Sequence, residues 1–127
     1  MSAPLVQEWV DKAEADYQGA HALQRQRKHP LPDLVCFHCQ QSAEKYLKAY
    51  LVVHGDTTPR IHDVEELINR CLPYDSTLSA LMPHAPALNQ YSVDYRYPGM
   101  SATLASAQDA LQAARHIRTV LRKKLGV

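Results

Sequence analysis

The chain has 127 residues and a mass of 14.3 kDa, enough for one domain around one core. Apolar residues make up 46%, charged residues 21% and the net charge is +1, which excludes a whole-molecule field for nucleic acid or anionic membrane. Only local basic patches remain open for such partners. Four glycines among abundant Ala and Leu, with few Val and Ile, favour helices over strands.

In chain order, Val6, Trp9, Val10, Ala13, Tyr17 and Ala20 share one face of a helix expected from about Leu5 to Arg27. Pro30 and Pro32 mark a short connection. A second long helix is expected from about Asp33 to His54, ended by Gly55 in a left-handed cap. After the loop GDTTPRI, Asp63 reads as an N-cap with Glu66 three residues on, and Val64, Leu67, Ile68, Cys71 and Leu72 form the stripe of a short third helix ended by Pro73. Leu78, Leu81, Met82, Ala85 and Leu88 keep helical spacing, but Pro83 and Pro86 should split or kink that stretch. Pro98-Gly99 is a stop. Ser101 then caps a last helix carrying Leu104, Ala107, Leu111, Ala114, Leu121 and Leu125 on one face, ended by Gly126. The expected fold is all-α, a single domain over 1–127 built as an antiparallel up-and-down bundle of four to five helices.

No apolar run is long enough to span a bilayer, and MSAPLVQEW lacks the basic start and apolar stretch of a secretion signal. Three cysteines do not make a disulfide framework, so the cytoplasm is the expected compartment.

The stretch CFHCQQSAEKYLK holds a Cys36-x-x-Cys39 pair that asks for a metal or redox reading. Helical spacing instead puts Cys36, Cys39, Ala43, Leu47 and Tyr50 on one apolar side, where free cysteine packs as a small hydrophobe. A structural zinc site needs about four converging ligands, whereas Cys71 stands alone and the seven histidines are scattered. Packing is the preferred reading; neither a metal nor a cofactor is expected.

On the opposite side lie His38, Gln41, Lys45 and Lys48, with Glu44 beside them. Residue types alone favour a solvated face with local pairing of Glu44 to Lys48. Two loops hold a second cluster: Arg60, His62 and Asp63, then Tyr91, Tyr95, Arg96 and Tyr97. Tyrosines with an arginine fork suit a base, phosphate or carboxylate; equally, they suit a core rim with Arg96 paired to a carboxylate. His62 reads as a general base or as the neighbour of a cap. In the last helix Arg115, Arg118 and Arg122 form a basic stripe, for which interaction with the helix C-terminus is preferred over a nucleic-acid groove. No phosphate-binding glycine loop, G-x-S-x-G elbow or H-E-x-x-H is present, so nothing by itself declares an enzyme.

Taken in order, QQSAEKYLKAYL on the second helix, IHDVEEL opening the third, and Tyr91 followed by RYP at 96–98 resemble the HEPN domain family. The resemblance spans the chain from Trp9 to the alanine-rich last helix. It implies a helical bundle, usually a homodimer, that pairs with a minimal nucleotidyltransferase, in some cases within a toxin–antitoxin module. It also implies that Gln41, Glu44, Lys45, Lys48, His62, Asp63, Tyr91, Arg96 and Tyr97 line a shared nucleotide-binding cleft. Many members are metal-independent ribonucleases marked by an arginine, four to six residues, then a histidine. No arginine here has a histidine at that spacing, since Arg25 and His29 are separated by three residues and Arg60 and His62 by one. A nuclease would need His62 and Arg96 to meet across space. The expected role is therefore a non-catalytic nucleotide-binding or regulatory subunit. The alternatives are an RNA-cleaving toxin with a displaced site and a helical adaptor without a ligand.

Overall fold

The computed structural model describes residues 3–57, 60–89, 98–99 and 101–127. Three 22-residue helices dominate: α1 (Ala3–Gln24), α2 (Pro32–Val53) and α5 (Leu104–Leu125). Between the last two lie α3 (Val64–Cys71), a 3-10 run (Ser76–His84) and the single turn α4 (Pro86–Asn89). No strand occurs among the described residues, and the fold is an all-helical bundle.

Cross-helix pairs give the directions. Glu14 and Tyr17 meet Arg118 and Arg115, while Trp9 and Asp16 meet Lys48 and Lys45, so α1 runs antiparallel to both α5 and α2. At the starts of α2 and α5, the Ala102 amide donates to Asp33 at 2.6 Å; further along, Arg122 donates to Tyr46. Those two helices therefore run the same way.

Local chemistry sets the boundaries. Pro32 enters α2 where a missing N–H costs nothing. Gly55, at φ +80°, and Gly126, at φ +75°, take the left-handed turn that ends their helices. Asp63 accepts from the Glu66 amide at 3.1 Å, as an N-cap should. The prolines break the fourth region as expected, into a 3-10 run containing Pro83 and a helical turn opened by Pro86. Two boundaries differ from the sequence reading. Helix α1 ends three residues early, where the Gln26 side chain folds back on the Lys28 and His29 carbonyls. The cap of α5 is Thr103 rather than Ser101: its hydroxyl accepts from the Ser106 amide at 3.0 Å, and Leu104 is left outside the core.

The core gathers Val10, Ala13, Tyr17 and Ala20 of α1 with Ala107, Ala110, Ala114, Ile117 and Leu121 of α5 around α2. Small alanines on the flanking helices allow close approach. Helix α2 has 14 of its 22 residues buried, too many for one stripe, so it is the bundle's centre rather than an amphipathic surface helix.

Candidate functional site

Of the face read as solvated, His38, Gln41 and Lys45 keep partial exposure, but the rest is covered. Glu44 and Lys48, read from sequence as part of a solvated face, are both buried, with side chains 6% and 7% exposed. The correction has a tertiary cause: α1 covers one flank of that face and the chain entering α3 covers the other. A carboxylate taken out of water needs donors at each oxygen. Glu44 finds three. Lys48 Nζ donates to Oε2 at 3.0 Å, Gln40 Nε2 donates to Oε1 at 3.1 Å, and His62 Nδ1 lies 3.2 Å from both oxygens. The Lys48 ammonium also stands 5.9 Å from the Trp9 ring centroid, a cation–π distance.

Helix geometry supplies two of these three partners, because Gln40, Glu44 and Lys48 follow at four-residue steps. The third, His62, arrives by a loop. Gln40 Nε2 also donates to the His62 carbonyl at 2.8 Å, while Gln40 Oε1 accepts from Gln41 Nε2 at 2.7 Å. Two residues beyond His62, the Val64 amide donates to Asn89 Oδ1 at 2.6 Å, and Asn89 Nδ2 donates to Asp63 at 3.0 Å. The backbone at 62–64 is thus tied to α2 on one side and α4 on the other. The His62 side chain remains 58% exposed. With Nδ1 directed at a carboxylate, the proton of the neutral ring belongs on Nδ1, and Nε2 is left as the acceptor at the exposed edge.

Of the residues expected to line a cleft, Lys48 and His62 meet around Glu44, and Gln41 reaches them through Gln40. Lys45 does not join them. It pairs with Asp16 of α1 at 2.6 Å, alongside His38 at 2.8 Å. Asp63 serves as the α3 cap. Tyr91, Arg96 and Tyr97 lie outside the described residues. Gln40 was missed by the sequence reading; its only signal is the four-residue step to Glu44, which the preference for a wet face concealed.

The basic stripe of α5 also needs correcting. Its arginines turn to α1 rather than to the end of their own helix. Arg118 grips Glu14 with two bonds of 2.6 and 2.7 Å and stacks over the Tyr17 ring at 4.7 Å. Arg122 lies 3.7 Å from Glu14 and donates to Tyr46 Oη at 3.1 Å, and Arg115 reaches Tyr17 Oη at 3.4 Å. Burial pushes the Glu14 carboxyl up, but the hydrogen bonds from Arg118, Tyr46 and Gln18 outweigh it and hold the group at about 2.

The cysteines are packing residues, as their spacing indicated: Cys36, Cys39 and Cys71 form no disulfide and are buried in the core. Burial raises the Cys39 thiol far above its usual range, helped by neighbouring Cys36, and pushes Cys71 up to about 12.

The profile of the HEPN domain matches residues 6–124, nearly the whole described bundle. The chain belongs to the HEPN domain family. Two solved structures show the same fold. TT1696 from Thermus thermophilus superimposes with a TM-score of 0.77 at 23% identity, covering 94% of this chain and 97% of its own. ST0689, an archaeal HEPN homologue, gives a TM-score of 0.72 at 23% identity, covering 94% of this chain and 96% of its own. No curated protein matches this HEPN sequence.

Proposed function

We propose that this HEPN protein is a non-catalytic nucleotide-binding subunit, acting as a homodimer beside a minimal nucleotidyltransferase that carries the chemistry. A toxin–antitoxin module is one setting for such a pair. The partner and the dimer rest on HEPN membership. The ligand rests on one observation: a half-exposed imidazole fixed by a buried carboxylate that Lys48 also pairs, with the Trp9 indole against that lysine. Such a ring offers Nε2 to a ligand hydroxyl or amine, or a charge-assisted donor to phosphate once protonated. In sequence, Tyr91, Arg96 and Tyr97 supply further stacking faces and a phosphate fork. Isothermal titration with ATP, GTP and their monophosphates checks this. Binding should fall by about tenfold or more in His62→Ala and in Arg96→Ala, with helical content unchanged. Equal affinity in both variants would dismiss the cleft.

A second reading draws on the same pair. An imidazole with Nδ1 on a carboxylate and Nε2 outward is oriented as a general base. In a metal-independent ribonuclease Nε2 would take the proton of an RNA 2′-hydroxyl. The 2′-oxygen would then bond phosphorus as the bond to the 5′-oxygen breaks; the 5′-oxygen takes a proton from water, His62 returns its own to the hydroxide so formed, and a 2′,3′-cyclic phosphate and a 5′-hydroxyl are left. Cleavage of RNA in EDTA, abolished in His62→Ala, is the outcome that would favour this reading over the first.

A further inference from the structure

At the far end of the bundle, the α1–α2 loop and the start of α5 enclose two adjoining clefts of about 400 and 490 Å³ that share Pro30, Leu31 and Pro32. The larger is lined by Leu23, Val35 and Leu104 together with Gln24, Gln26, Gln108 and, at its edge, Arg27. Leu31 is 40% exposed and Leu104 60%, the latter the most exposed large apolar side chain among the described residues. Water meets a concave apolar surface here, which globular proteins seldom leave without a use.

The cation that edges the larger cleft, Arg27, sits between two others in the sequence, Arg25 and Lys28. Elsewhere Lys45, Lys48, Arg70, Arg118, Arg122 and Lys124 each pair with a carboxylate. Arg25, Arg27 and Lys28 are all exposed and form no ion pair among the described residues. Lys12, Arg60, Arg115 and Lys123 also lack one, but they are scattered along the chain. One carboxylate lies at the smaller cleft, Asp33, and it is engaged by the Ala102 amide at 2.6 Å. Arg27 thus stands at the edge of the larger cleft with no carboxylate paired to it among the described residues, and Arg25 and Lys28 flank it in sequence.

We propose that this groove docks a short acidic, apolar segment of a partner protein, its hydrophobic side chains over Leu31 and Leu104 and its carboxylates against Arg25, Arg27 and Lys28. Concavity argues for an inserted segment over a flat bilayer, and the described lining has no aromatic face on which a nucleobase would stack. The inference does not depend on the His62 site, which lies by the middle of α2 rather than at its start.

Panning a phage-displayed library of short linear peptides on the full chain tests it. Enriched peptides should combine apolar residues with two or more carboxylates. Their affinity, measured by fluorescence polarisation, should fall about tenfold in Arg27→Glu and in Leu104→Asp. Both positions are exposed, and Asp is favoured in a first helical turn, so circular dichroism should be unchanged. Peptides with Lys in place of the acids should fail on the wild type and bind a triple reversal of Arg25, Arg27 and Lys28 to Glu. Absence of enrichment, enrichment without acids, or affinity indifferent to both variants overturns the proposal. So does a dimer that Leu104→Asp dissociates, which would make the groove a contact between copies. Binding of polyuridine or anionic vesicles that is lost in Arg27→Glu but kept in Leu104→Asp also overturns it.

Discussion

Two carboxylates organise the polar interior of this HEPN bundle, and they differ in how their networks end. Glu14 of α1 ties its helix to α5 and α2. Arg118, Arg122 and Tyr46 reach it from those two helices, and Gln18 bonds it from within α1. Its circuit is closed, which is the mark of a structural clamp. Glu44 of α2 gathers Lys48 and Gln40 in the same way, but its third partner is an imidazole more than half exposed. That circuit has an open end. The difference separates a residue that holds helices together from one that holds another side chain in place at the surface.

The largest effect expected from breaking this contrast is at Glu44. Glu44→Ala strands a buried ammonium and should destabilise the fold by about 3–5 kcal/mol, read as a lower midpoint in urea unfolding. Adding Lys48→Met should restore part of that loss, because the uncompensated charge goes with it. If the single variant is as stable as wild type, Glu44 is not the hub.

Glu14→Gln should cost less, about 1–3 kcal/mol, since the pair with Arg118 is partly solvated and Gln keeps some hydrogen bonds. Its pH dependence sharpens the comparison. The folded-state carboxyl sits at about 2 against an ordinary 4.5, so its contribution is fully present above about pH 4.5 and fades as pH falls towards 2. Wild type and Glu14→Gln should thus draw together as pH falls below about 4.5 and meet only near pH 2, a trend that thermal melts across pH would reveal.

The smallest effect concerns the other side of α2. Buried thiols with raised pKa are poor nucleophiles, so iodoacetamide at about pH 8 should leave Cys36, Cys39 and Cys71 unmodified until denaturant is added. Rapid labelling of the native protein would mean that the apolar side opens as readily as the imidazole edge.

Much of the fold was legible in the chain because its signals are local. Asp63, Gly55 and Gly126 mark helix ends through their own backbone and side-chain chemistry, and Pro83 and Pro86 break the fourth region wherever it packs. Even the misplaced cap of α5 is a contest between near neighbours, Ser101 and Thr103, for the start of one helix. The site was half legible. Four-residue steps put Glu44 against Lys48, but helical periodicity does not bring His62 to them, a meeting that only the HEPN resemblance implied, and neither gives Gln40 a role.

What the sequence determined by itself was which residues share a helical face. What only the tertiary structure decided was which faces are covered. Periodicity fixes the angle between side chains on one helix, but it says nothing of what lands on them. Burial of Glu44 and Lys48 follows from α1 and the 62–64 segment closing over α2, and that closure turns a stripe with the look of a wet surface into a buried hub with one exposed arm.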